Sequence, residues 1–144
     1  MQFSRRYVRG YAVLPGVCAL ASKITITIMP TYTLMNEALS WSGANAACLA
    51  AGQQLASVHS ALENAQLVTA AAGNPVWIGG TDAASEGTWK WSSTGTPLSY
   101  TNWRQGQPNS WNGDQDCVEV DSSGEWNDHN CANERLKFVC ERRG

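Results

Sequence analysis

Residues Gln107 to Cys117, QPNSWNGDQDC, crowd three amides, two carboxylates and a tryptophan between a proline and a cysteine. Amide carbonyls and carboxylates are hard oxygen donors, the ligand type that Ca²⁺ gathers about six to eight at a time. Asp114 and Asp116 could instead act as an acid–base pair, but ion ligation accounts for them more simply. Nucleophilic catalysis needs a nucleophile beside a base and an orienting group. Serines are plentiful, yet His59 in SVHS and His129 in NDHN, the two histidines, lie in no such arrangement. They also form no spaced metal pair, and the absence of any C-x-x-C argues against zinc. The chemistry on offer is binding, and no enzyme is expected.

The rest of the chain frames that loop. Its 144 residues suit one domain with a single sizeable core. Arg5, Arg6 and Arg9 precede the apolar run YAVLPGVCALA and then Ser22, which is the layout of a secretory signal over residues 1–21. The run is too short to span a bilayer as a helix, and Pro15 interrupts it. Loss of that segment moves the formal net charge from −2 to −5, so the mature domain, residues 22–144, is a poor candidate for nucleic acid. Cys18 falls within the signal. Cys48, Cys117, Cys131 and Cys140 remain, which in a secreted chain predicts two disulfides with three pairings open.

Periodicity supplies the elements. KITITIM alternates Ile and Thr as a strand does, and PTYTLMNEA continues as a second, short strand. LSWSGANAACLAAG predicts a helix behind a Ser40 N-cap, stopping at Gly52. QLASVHS is extended, and SALENAQLVTAAAG predicts a second helix with a Ser60–Glu63 capping box, closing at Gly73. VWIGG, TWKWSS, DCVEVD and LKFVCE read as further strands, with Trp89 and Trp91 on one face. Ser92 to Asp116 has little periodicity over 25 residues, and a loop of that length in a compact domain is usually functional.

Taken in order, LSWSGANAACLAAGQQLASVHSALENAQLV, VWIGGTDAASEGTWKW, NWRQGQPN, DCVEV, EWNDHNC and KFVCE resemble the C-type lectin domain, from about Tyr32 to Glu141. The resemblance implies an α+β fold, with two helices flanking small antiparallel sheets and a long ligand-binding loop. It implies the pairings Cys48–Cys140 and Cys117–Cys131, in the short form of the domain. Trp41, Trp77, Trp89, Trp91, Trp103 and Trp126 match positions that pack the core or brace the loop.

The same resemblance assigns the oxygens to two calcium sites. Gln107, Asn109, Gln115, Asn127 and Asp128 match the ligands of the sugar-binding site, with a cis bond expected at Pro108. There, two neighbouring sugar hydroxyls bind the ion while the same side chains hydrogen-bond to them. Asp82, Glu86 and Asp116 match an auxiliary site, although Ser110 stands where a further carboxylate or amide is common. Gln107 and Gln115 replace the glutamates usual in strong calcium binders, so the affinity expected is on the order of 10⁻⁴ to 10⁻³ M or poorer. Gln-Pro-Asn is a hybrid of the mannose-type and galactose-type tripeptides. Trp111, placed to stack on the apolar face of a sugar, leans the choice slightly to galactose. The expected partners are cell-surface or microbial glycans. The alternative is a domain of the same fold with a degraded calcium site that binds protein, lipid or another non-sugar ligand.

Overall fold

The computed structural model describes residues 29–110 and 113–143. The expected secretory signal, Cys18, the Ile/Thr strand before Met29 and the stacking residue Trp111 lie outside the described residues. The elements run β1 (Thr31–Leu39), α1 (Trp41–Ala50), β2 (Gln54–Leu55), α2 (Ala61–Ala71), β3 (Val76–Thr81), β4 (Lys90–Trp91), β5 (Gln115–Val120), β6 (Trp126–Asn130) and β7 (Leu136–Arg142). This is the α+β architecture expected, held by the Cys48–Cys140 and Cys117–Cys131 disulfides.

Both helices begin where their caps predict. The Ser40 side chain accepts from Gly43 N at 3.3 Å, and Ser60 accepts from Glu63 N at 3.1 Å, each satisfying an amide the helix leaves open. The capping box is only half made: the Glu63 carboxylate accepts from His59 N at 3.0 Å rather than from Ser60. Gly52 has φ +75°, a left-handed conformation that glycine adopts without a side-chain penalty, and α1 ends there.

The strands join in one sheet, ordered β1-β7-β3-β5-β6, with β2 paired to β7 and β4 to β3. All pairs are antiparallel except β3 with β7, and that parallel pair links the two antiparallel parts. The strand in PTYTLMNEA is longer than its polar residues suggested. It runs for nine residues because β7 pairs with it along its length while its other edge needs no apolar partner. TWKWSS, by contrast, contributes only Lys90 and Trp91 to the ladder. WNDHN, which has no apolar alternation, is a strand all the same: β6 hydrogen-bonds to β5 and buries Trp126 and Asp128.

Two apolar groups sit on the sheet. One gathers Val58, Leu67, Ile78, Trp91, Val118, Trp126 and Val139 beneath α2 and the long loop. The other surrounds the Cys48–Cys140 disulfide with Leu55, Trp77 and Phe138 under α1. A Cβ at Gly80 would lie 2.7 Å from Val118 Cγ2, so the glycine pair of VWIGG lets β5 pack directly on β3. Three indoles find acceptors across the core: Trp41 Nε1 donates to Ile78 O, Trp77 Nε1 to Leu39 O, and Trp126 Nε1 to Asn64 Oδ1, each at 2.9 Å. Asn64 also donates to Gly124 O at 3.0 Å, so α2 braces the β5–β6 hairpin that carries part of the ligand loop.

Candidate functional site

The long loop is fixed to one strand. β6 ends the sheet, and its outer edge would otherwise leave backbone groups unpaired. The loop covers that edge: Trp126 N donates to Asn102 O at 2.9 Å and Arg104 N donates to Trp126 O at 2.9 Å. Below this, Trp103 stacks edge-on against Trp89 and Trp126, with ring centroids 5.0 and 5.8 Å apart. The Arg104 guanidinium reaches Asp121 at 2.6 Å on the turn between β5 and β6. That carboxyl is pulled in two directions. Burial raises its pKa, but hydrogen bonds from Ser123, Glu125 N and Arg104 outweigh it and hold the group below the usual carboxylate range.

Further along, the peptide bond between Gln107 and Pro108 is cis, as expected. The Gln107 side chain returns to β6, where its Oε1 accepts from Asp128 N at 3.4 Å. The Asp128 carboxylate, 2% exposed, accepts from Asn109 N at 3.1 Å and from Ser110 N at 2.6 Å. Gln107, Asn109 and Asp128 thus come together between loop and strand. Gln115 opens β5 opposite Asn130 and already belongs to the sheet rather than to the loop. Asn127 lies opposite Glu119 and donates to its Oε1 at 2.9 Å. Glu119, not singled out in the sequence, is therefore a partner of the site, and its place in DCVEVD opposite WNDHN was the available signal. The five matched positions, Gln107, Asn109, Gln115, Asn127 and Asp128, offer amide oxygens and one carboxylate, which suits a hard cation held weakly.

The second cluster is more acidic. Carboxylate oxygens of Asp82, Glu86 and Asp116 lie within 4.8 Å of one another, the one such group of three acidic, histidine or cysteine side chains among the described residues. Asp82 is buried at the end of β3, where its Oδ2 accepts from Gly87 N at 2.7 Å. Thr81 Oγ1 and Asp82 N both donate to Asp116 O, at 2.6 and 3.1 Å, so β3 and β5 hold the two aspartates side by side. Asp82 Oδ1 and Asp116 Oδ1 are buried with no hydrogen-bond partner. Burial, and then the neighbouring acids, push both carboxyl groups upward. Unsatisfied carboxylate oxygens facing one another lack a positive charge, and a divalent cation supplies one. These residues fit calcium better than the amide-rich set does.

Among the described residues, neither histidine joins a group of three metal-ligating side chains. His129 Nε2 lies 3.5 Å from Glu119 Oε1 and its Nδ1 3.4 Å from Glu134 Oε1, with the ring edge-on to Trp77. His59 Nε2 lies 3.2 Å from Ser57 Oγ.

Two helices packed on a sheet, two disulfides and a long loop are what the family resemblance implied, and residues 37–142 match the model of the lectin C-type domain. The chain belongs to the C-type lectin domain family. Among its relatives, the salivary C-type lectin 2 of Aedes albopictus is 33% identical over 126 residues, covering 78% of this chain and 83% of that protein. The galactose-specific lectin nattectin of Thalassophryne nattereri is 34% identical over 117 residues, covering 77% of this chain and 72% of its own. Solved structures agree. The carbohydrate-recognition domain of the mouse scavenger receptor C-type lectin superposes with a TM-score of 0.74 at 32% identity, over 85% of this chain and 92% of that one. A calcium-independent type II antifreeze protein superposes equally well, with a TM-score of 0.74 at 27% identity over 83% and 90%. These relatives are lectins and binding proteins, and this C-type lectin domain is likewise a binding module rather than an enzyme.

Proposed function

We propose that this C-type lectin domain is a secreted, calcium-dependent glycan-binding module whose sugar site lies on the Gln107–Asp128 face. The observation that carries the reading is the convergence of Gln107, Asn109 and Asp128 between the loop and β6. Gln107, Asn109, Gln115, Asn127 and Asp128 would hold the ion of that site, and Asp82, Glu86 and Asp116 an auxiliary one. Calcium, when bound, supplies coordination positions for two neighbouring sugar hydroxyls. The chain's own part is to present amides around those hydroxyls, since each Asn or Gln offers one acceptor and two donors. Acids in those places would only accept. The hybrid Gln-Pro-Asn presents both polarities, and galactose is favoured over mannose on the placing of Trp111 and the galactose specificity named for nattectin. Two disulfides suit an oxidising compartment, and among the described residues no helix is long and apolar enough to cross a membrane.

Retention on immobilised galactose and mannose, with and without a chelator, tests the proposal. Calcium-dependent retention, stronger on galactose, is expected; binding that a chelator leaves unchanged would refute the mechanism. The same domain without a working calcium site, binding a non-sugar ligand, is the second reading. It is favoured by the amides at Gln107 and Gln115, which leave Asp128 the one carboxylate of five matched positions.

The acidic cluster gives a separate readout. At calcium concentrations about tenfold above a dissociation constant of about 1 mM, one site stabilises the fold by roughly 1.4 kcal/mol. Thermal unfolding should rise accordingly in the wild type, and Asp82→Asn should lose most of the gain. An equal gain in both proteins would place the bound ion elsewhere.

A further inference from the structure

We infer that Glu119 is a positioning residue of the proposed site: its carboxylate fixes which end of the Asn127 amide is offered to a ligand. The inference rests on the reading of Asn127 as a ligand position, and its first test reads the amide itself with no ligand added.

Three observations lead to it. First, Glu119 of β5 and Asn127 of β6 are opposed in the antiparallel ladder, and opposed residues share a face of the sheet. Asn127 Nδ2 donates to Glu119 Oε1 at 2.9 Å. An ionised carboxylate only accepts, so the amide meets it through Nδ2 and the carbonyl Oδ1 lies on the far side of the amide. Second, the carboxylate is itself held. His129 Nε2 lies 3.5 Å from the same Oε1, and the His129 ring stands edge-on to the buried Trp77, with centroids 6.3 Å apart. Third, the fold gains little from this carboxylate. Of the buried glutamates among the described residues, Glu63 and Glu141 share Arg143, whereas Glu119, 7% exposed, is in ion-pair contact with no lysine or arginine. A buried carboxylate without a full counter-charge is costly, and an apolar side chain of similar size would serve the packing better.

What Glu119 supplies is direction. With one N–H taken by the carboxylate, Asn127 keeps its Oδ1 and one further N–H. The first is the kind of atom a hard cation takes, and the second can be given to a hydroxyl beside it. Turned over, the amide would face a cation with its N–H groups and withdraw the carbonyl. Groups that orient a metal ligand from behind are worth about 10- to 100-fold in affinity.

Side-chain amide NMR of Asn127, on the full chain in excess chelator, is the first test. The Nδ2 proton facing Glu119 should exchange with water about tenfold more slowly than in Glu119→Met. That variant should melt no lower than wild type in chelator, because it removes a buried charge, whereas a residue needed only for the fold would lower the melting point. Calcium alone is then titrated while the Asn127 side-chain signal is followed, which reads this face and not the cluster of Asp82, Glu86 and Asp116. Binding should be about tenfold weaker in Glu119→Met. Two more variants separate position from charge, and they decide the matter should Glu119→Met fail to fold. Glu119→Gln drops the charge but keeps an acceptor oxygen, and should recover part of both the protection and the affinity. Glu119→Asp keeps the charge but falls one methylene short of Asn127, and should lose more than Glu119→Gln. Equal exchange of the Asn127 protons with and without the Glu119 carboxylate would overturn the inference, as would an affinity that follows charge, with aspartate like wild type and glutamine like methionine. An Asn127 proton that Glu119 protects but calcium never moves would refute the calcium reading of this face and leave the hold of Glu119 on the amide standing.

Discussion

Replacing Cys48 and Cys140 together by alanine should lower the unfolding free energy by about 4–5 kcal/mol, against about 3 kcal/mol for Cys117 with Cys131. The difference follows from the length of chain each bond closes: 92 residues separate the first pair and 14 the second. A closed loop of 92 residues removes more freedom from the unfolded chain, and that freedom is what folding must otherwise overcome. Cys48 and Cys140 are also fully buried among Leu55, Trp77 and Phe138, so two missing sulfurs leave space in that apolar group as well. A domain of this size is stable by only about 5–15 kcal/mol, so the first variant should be close to unfolding at physiological temperature. The shorter bond ties Cys117 on β5 to the end of the β5–β6 hairpin, which presents Gln115, Asn127 and Asp128. Its loss should weaken ligand binding more than it weakens the fold. Denaturant unfolding of both double variants measures this, and a larger loss from the Cys117–Cys131 pair would contradict the chain-length argument.

How far the sequence foretold this architecture depended on whether a residue's partner is near it in the chain. Ser40 and Ser60 act on amides three residues away, so both helix starts were legible. β3, β5 and β7 carry apolar side chains at strand spacing, and they too were legible. β6 was not, because WNDHN satisfies its polar side chains across the ladder: Asn127 on Glu119, and Asp128 on the loop. Nothing within five residues reveals such partners. The extent of β1 was hidden for a similar reason, since a strand with one open edge needs few apolar residues. In the site, oxygens could be nominated by matching positions, and the cis bond before Pro108 was expected correctly. That the Asp128 carboxylate faces the backbone of Asn109 and Ser110 depends on contacts spanning 18 and 19 residues. Glu63 shows the limit most plainly. Its capping position was visible, but its main partner lies 80 residues away.

That partner, Arg143, is the subject of the second large effect. Arg143→Ala should cost about 3 kcal/mol at neutral pH, the low end for breaking a buried ion pair because the guanidinium side chain is 27% exposed. Its Nε donates to Glu141 Oε2 at 2.9 Å, Nη1 to Glu63 Oε2 at 3.1 Å, and Nη2 to Glu63 Oε1 at 2.9 Å and Ser57 O at 2.8 Å. Glu141 is fully buried, and Ser57 N, Ser57 Oγ and Gln54 Nε2 donate to its carboxylate. Tyr32 of β1 completes the set by donating to Ser57 O at 2.7 Å. One cation thus joins the first turn of α2, the last strand, the chain after β2 and the first described strand. Removing it leaves the fully buried Glu141 without the one cationic partner it has among the described residues, and the cost is mainly that stranded charge. Lysine should restore little, since a single ammonium cannot reproduce the forked contacts. Acid should distinguish this account from simple loss of packing. The Arg143 hydrogen bonds are the largest cause holding the Glu63 carboxyl below the usual range, so its contribution is present above the unfolded carboxylate pKa and is lost as pH falls through the folded one. The stability difference between wild type and Arg143→Ala should therefore narrow as pH falls from neutrality to about 3, below the ordinary Glu pKa of about 4.3. Urea midpoints at both pH values would show it. A difference that stays constant with pH would mean the arginine acts through its packing and not through its charge.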